Sequence, residues 1–111
     1  MRGVVIIPQI ASSFRGAVLR LSIERLPFVD ACAEIVRQQF IKDVAHEQGK
    51  TTRIPFDVQI PDVDLGRLNL RAHVSQSGNT EIAKGDLLSQ QSYPVERQSH
   101  GRLMTVHVEQ V

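Results

Sequence analysis

The stretch "DACAEIVRQQFIKDVAHEQG", Asp30 to Gly49, decides whether this chain is all-β or mixed. Its local signals point to a helix. Asp30 stands where an N-cap would, Cys32, Ile35, Val36, Phe40 and Val44 recur at helical intervals, and Gly49 stands where a helix would stop. The opposing signal is β-branched Ile35 and Val36 in "AEIVRQQFI", which favour a strand beside the preceding one, although the alternation there is muddled. On local evidence both readings stand.

Outward from this stretch the chain reads as strands. "GVVII" is a short apolar run, broken by Pro8 and Gln9 and followed by a turn-like "PQIASSFRG". "AVLRLSI" then sets Ala17, Leu19, Leu21 and Ile23 against Val18, Arg20 and Ser22, giving a strand with one apolar face. In "RIPFDVQI", Ile54, Phe56, Val58 and Ile60 share one side, and Pro55, which has no N–H, suggests a sheet edge or a strand end. "PDVDLGR" reads as a loop. "LNLRAHV" places Leu68, Leu70, Ala72 and Val74 inward and Asn69, Arg71 and His73 outward. "SQSGNT" is a turn, and "EIAKGDLLSQQSYPV" holds one interrupted strand or two short ones, punctuated by Gly85 and Pro94. "LMTVHVEQV" closes the chain as a strand with Met104, Val106 and Val108 on one parity. Strands at intervals of roughly eight to twelve residues with turns between them indicate a β-sandwich or barrel.

Composition narrows the function classes. At 111 residues the chain is long enough for one ordinary core without a metal or disulfide staple. Thirteen Lys and Arg against twelve Asp and Glu, interspersed throughout, argue against a nucleic-acid groove or a polybasic membrane patch. Five aromatic residues, Phe14, Phe28, Phe40, Phe56 and Tyr93, leave few platforms for stacking bases or sugars. The single cysteine, Cys32, allows no internal disulfide and reads as a buried, inert thiol. The first residues are too short an apolar run for a secretory leader, and no stretch approaches the roughly twenty apolar residues of a membrane span.

No catalytic constellation assembles in the sequence. His46, His73, His100 and His107 lack metal-ligand spacing and read as solvated strand-face residues, although His73 and His107 could meet on neighbouring strands. Ser22, Ser75, Ser89, Ser92 and Ser99 sit in no nucleophile elbow. Asp62 and Asp64 in "PDVDLG" resemble the start of a calcium loop, but Gly66 takes the third ligand position and no bidentate acid follows. The scattered glycines form no phosphate cradle.

The landmarks "GAVLRLSIERL", "DACAEIVRQQFI", "IPFDVQI", "LNLRAHV", a Gly-containing turn, "GDLL" and "SYPV" follow one another in an order that resembles the YbaY/YscW-type bacterial lipoprotein family. That family includes small envelope proteins and pilot lipoproteins of type III secretion. The similarity runs from about Gly3 to Val95 and rests on framework motifs: Asp30-Ala31, Pro55-Phe56 and Tyr93-Pro94-Val95. It implies that the ambiguous stretch is a strand after a short turn at Asp30-Ala31. The family's lipidated N-terminal cysteine has no counterpart here, since Cys32 lies mid-chain, so no lipid anchor is expected in this chain.

The expectation is one domain over residues 1–111: an all-β antiparallel sandwich of about seven to eight strands, immunoglobulin- or transthyretin-like. Its expected function is that of a non-catalytic binding or chaperone-like module. It would need no cofactor and no metal, and would meet a protein partner or a second copy of itself through strand edges. Asn69, Arg71 and His73 are the candidate binding row. The rival is a small-ligand or metal-dependent enzyme using His73, His107 and Asp86. The chain as given carries no address and reads as cytoplasmic, or as periplasmic or envelope-bound if a leader precedes it.

Overall fold

A computed structural model describes residues 1–25, 34–60, 68–91, 93–95 and 103–111. These form eight strands: β1 (Arg2–Ile7), β2 (Phe14–Arg25), β3 (Glu34–His46), β4 (Thr52–Asp57), β5 (Leu68–Ser75), β6 (Leu87–Ser89), β7 (Tyr93–Val95) and β8 (Met104–Gln110). The all-β expectation is met, with no helix among the described residues and so none long and apolar enough to cross a membrane. The expected turn at Asp30-Ala31, the loop from Pro61 to Gly66, and Cys32 and His100 lie outside the described residues.

The decisive stretch is a strand. A helix there would leave β2 paired with β5 alone among the described residues. As a strand it runs antiparallel to twelve-residue β2, from Phe14↔His46 to Arg25↔Glu34. The resulting ladder, together with the β-branched residues Ile35, Val36, Ile41 and Val44, outweighs the local cap signals. The ladder slips near Gly16, with φ 66°, and near Asp43, with φ 58°, and both slips bend and twist the strands.

The strands are ordered β3-β2-β5-β6-β8-β1-β4, with β7 pairing to β5 off this path. The sheet curls almost into a barrel. The expected antiparallel pairing has one exception, because β1 and β8 run parallel from Gly3↔Met104 to Ile6↔His107. Parallel pairing requires a long connection, and here the whole domain lies between the first strand and the last.

Alternation fills the core as the sequence reading requires. Ala17, Leu19, Leu21 and Ile23 of β2, Leu70, Ala72 and Val74 of β5, Val5 and Ile7 of β1, and Val106 and Val108 of β8 are all buried in one cluster. Phe56 of β4 closes it beneath Gly3, where an added Cβ would stand 2.5 Å from the Phe56 ring and 2.5 Å from the Met104 carbonyl oxygen. Only glycine fits that approach. Pro55 sits on edge strand β4, opposite Val4, in keeping with its missing N–H.

Candidate functional site

The candidate binding row lies on the outward parity of β5, and the structure divides its members. Arg71 is exposed, with a guanidinium nitrogen 3.9 Å from Glu24 of β2. Asn69 is half-buried, and its Oδ1 accepts the Tyr93 N–H at 2.8 Å, which fixes β7 against β5. His73 contradicts the reading as a solvated residue, because only 2% of it is exposed. The expectation failed because parity says which face a residue points to, and leaves open what returns across that face.

What returns is the segment between β5 and β6. Gly78 (φ 82°) and Gly85 (φ 96°) take left-handed conformations that other residues adopt at a cost, and between them the chain reverses and delivers Asp86 to the outer face of β5. Asp86 is 1% exposed, and its Oδ2 lies 2.9 Å from His73 Nε2. The same carboxylate accepts the Ala83 N–H at 3.0 Å on Oδ2 and the Gln76 N–H at 3.1 Å on Oδ1. Its backbone N–H donates to the Ala83 carbonyl, and its carbonyl accepts from the Val111 N–H at 2.9 Å. Asp86 thereby ties the returning segment, the outer face of β5 and the chain's last residue together.

Burial pushes the Asp86 carboxyl up, but the Ala83 N–H, the His73 ring and the Gln76 N–H outweigh it, and the group ends below its ordinary value. An ionised carboxylate only accepts hydrogen bonds, so His73 Nε2 carries the proton of the shared bond. His73 Nδ1 is buried with no protein partner among the described residues. The signal for this pair was present in "GDLL": a small residue permissive of positive φ, then a carboxylate, then a buried strand.

The remaining members of the rival reading do not converge with the pair. His107 is exposed on β8, where it lines an open groove of about 840 Å³ with Ile6, Pro8, Ile10, Lys84 and Val111, and its backbone N–H is held by the Tyr93 hydroxyl at 2.9 Å. His46 is a second buried histidine where a solvated one was expected. Its ring stacks at a tilt on Phe14, 5.8 Å between centroids, and its Nδ1 lies 2.7 Å from Thr52 Oγ1. Among the described residues no group of three or more His, Cys, Asp or Glu side chains is arranged to hold a metal.

A second feature of the outer face escaped the sequence reading. β3 is an edge strand of thirteen residues, paired among the described residues with β2 alone. It exposes 45% of Ile35 and 50% of Phe40. The other edge, β4, has six residues, and Pro55 and Arg53 blunt it. The stretch was expected to be a strand, but its place at the sheet edge depends on the strand order, which no local pattern contains. No protein-family model, curated protein or solved structure matches this chain.

Proposed function

We propose that this chain is a non-catalytic binding module of chaperone-like character that works by protein contact, taking an extended segment as an added strand along β3. The observation that carries the reading is the edge itself: a long strand paired with β2 alone among the described residues, with exposed Ile35 and Phe40. Such an edge offers a row of N–H and C=O groups as a template, and the apolar side chains beside it supply contact energy. The resemblance to pilot and envelope lipoproteins points the same way. The Asn69, Arg71 and His73 row is set aside as the contact surface, because two of its three members are engaged in holding β7 and Asp86.

A catalytic use of His73 and Asp86 has less support. Both carboxylate oxygens of Asp86 are occupied by bonds that hold the loop, and the pair is closed off from solvent. The test of the binding reading is co-purification from the cell that makes the protein. Bound proteins should be lost with Ile35→Lys and Phe40→Lys on β3 and retained with Arg53→Glu on β4. Retention of every partner by the β3 variants would sink the edge.

A further inference from the structure

Three strand ends converge where the two edge strands of the sheet are joined. β3 ends at His46, β4 begins at Thr52, and β2 begins at Phe14, which pairs with His46. The connecting turn is pinned to the segment ahead of β2. The Gln48 N–H donates to Ser13 Oγ at 2.8 Å, and the Gly49 N–H donates to the Gln9 carbonyl at 2.8 Å. All three ends and the turn line an open cavity of about 720 Å³.

The lining carries an excess of positive charge and hydroxyl groups. Arg15 belongs to it from β2 and Lys50 from the turn, Thr51 and Thr52 add hydroxyls, and Glu47 is its one acid. Arg15 is exposed and has no ion-pair partner among the described residues. Lys50 meets Glu47 at 3.2 Å, but both side chains are largely exposed, so the pair holds Lys50 only weakly. The chain as a whole is nearly neutral, with a net charge of +1, and this excess is local.

His46 supplies an independent observation. It forms part of the cavity wall and is only 5% exposed, with its ring held by Phe14 on one side and by the Nδ1 bond to Thr52. Its Nε2 is buried with no protein partner among the described residues. When Thr52 donates to Nδ1, Nε2 carries the ring proton and is a buried donor without an acceptor, which is costly. The partner this nitrogen lacks is an acceptor, and the two cations of the same cavity favour one that is negatively charged.

We propose that this cavity binds a tetrahedral oxyanion, a phosphate or a phosphomonoester, with Arg15 and Lys50 offsetting its charge and His46 donating from the wall. Two cations on separate elements suit a doubly charged anion. The planar Arg15 fork matches two of its oxygens, and Lys50, a compact point charge, exchanges Glu47 for a third. The pinned turn holds the Lys50 backbone in place before the anion arrives, which limits the ordering cost of binding. The site uses none of the exposed side chains Ile35 and Phe40 on which the edge reading rests, so either can fail without the other.

The test is titration of the full chain with inorganic phosphate and, separately, with phenyl phosphate at constant ionic strength, followed by calorimetry and by the histidine ring signals in NMR. Phosphate should saturate one site and move the His46 signals ahead of those of the other three histidines. Arg15→Gln should weaken binding by about tenfold or more, and Lys50→Gln by less, while Arg37→Gln on β3 leaves it unchanged. Arg15 and Lys50 are exposed, so thermal melting should show both variants folded like the parent. Tighter binding of phenyl phosphate assigns the site to a phosphomonoester, and tighter binding of inorganic phosphate assigns it to the free ion. The absence of saturable binding by either, or binding indifferent to both Arg15→Gln and Lys50→Gln, overturns the proposal. Acetate bound as tightly as phosphate overturns the tetrahedral assignment, and binding that leaves the His46 signals in place removes His46 from the site.

Discussion

One row of side chains crosses the outer face of the sheet through Phe40, Arg20, His73 and Leu88 to Glu109, on β3, β2, β5, β6 and β8 in turn. Its two halves invert the ordinary rule in opposite ways. On β5 a polar ring is buried, and on β3 an apolar ring is half exposed. The difference lies in the connection. The segment from Gln76 to Asp86 folds back over β5 and supplies the acceptor that makes burial of His73 tolerable, and no described segment does the same for β3. A buried polar group is stable only where its partner is delivered with it, and among the described residues nothing is delivered to cover Phe40.

The strongest way to break this comparison is Asp86→Ala. It leaves the buried His73 Nε2–H without its acceptor and removes the acceptor of the part-buried Gln76 and Ala83 N–H groups, and should cost about 3–5 kcal/mol in urea denaturation. Leu70→Ala is the yardstick from the core: its side chain is fully buried, so truncation should cost roughly 2–5 kcal/mol. If Asp86→Ala costs less than about 1 kcal/mol, the returning segment is not held by the pair, and burial of His73 needs another explanation.

How far the sequence could be read follows from which contacts are local. Period-two alternation identified β2, β4, β5 and β8, and with them the inner faces around Leu21, Leu70 and Val106, because the rule depends only on neighbouring residues and on which face is dry. Pro55 marked its own edge for the same reason. Residues 30–49 carry the cap residues of a helix, and the deciding term was the ladder with β2, which no local window contains. His73 failed for a related reason. Its partner lies thirteen residues away, across a reversal whose direction depends on two glycines in the left-handed region. The parallel contact of β1 with β8 joins the two ends of the sequence and leaves no local trace.

Acid provides a milder and reversible test of the covered half. The Asp86 carboxyl titrates lower in the folded chain than in the unfolded one, so the unfolded chain takes up its proton first as pH falls. The stabilisation is present in full above the ordinary value of 3.8 and is lost as pH drops from there through the folded-state value. Stability measured between pH 5 and pH 2 should therefore fall with a slope that Asp86→Asn reduces. An Asp86→Asn chain with the same acid slope as the parent would show that other carboxylates dominate and that Asp86 is not the acid-sensitive tie.

The smallest expected effect sharpens the bare half. Phe40→Ser removes a large apolar side chain, and at a core position such a change would cost several kcal/mol. Here half of the ring already faces solvent, its neighbour Arg20 can close over the gap, and the core cluster does not include it. The stability of the isolated chain should change by no more than about 0.5 kcal/mol. Near-zero cost combined with loss of association would assign Phe40 to contact, because a residue kept for folding and one kept for binding differ in which measurement its removal disturbs. A cost above about 2 kcal/mol would return Phe40 to the core and remove the contrast with His73 on which the edge reading depends.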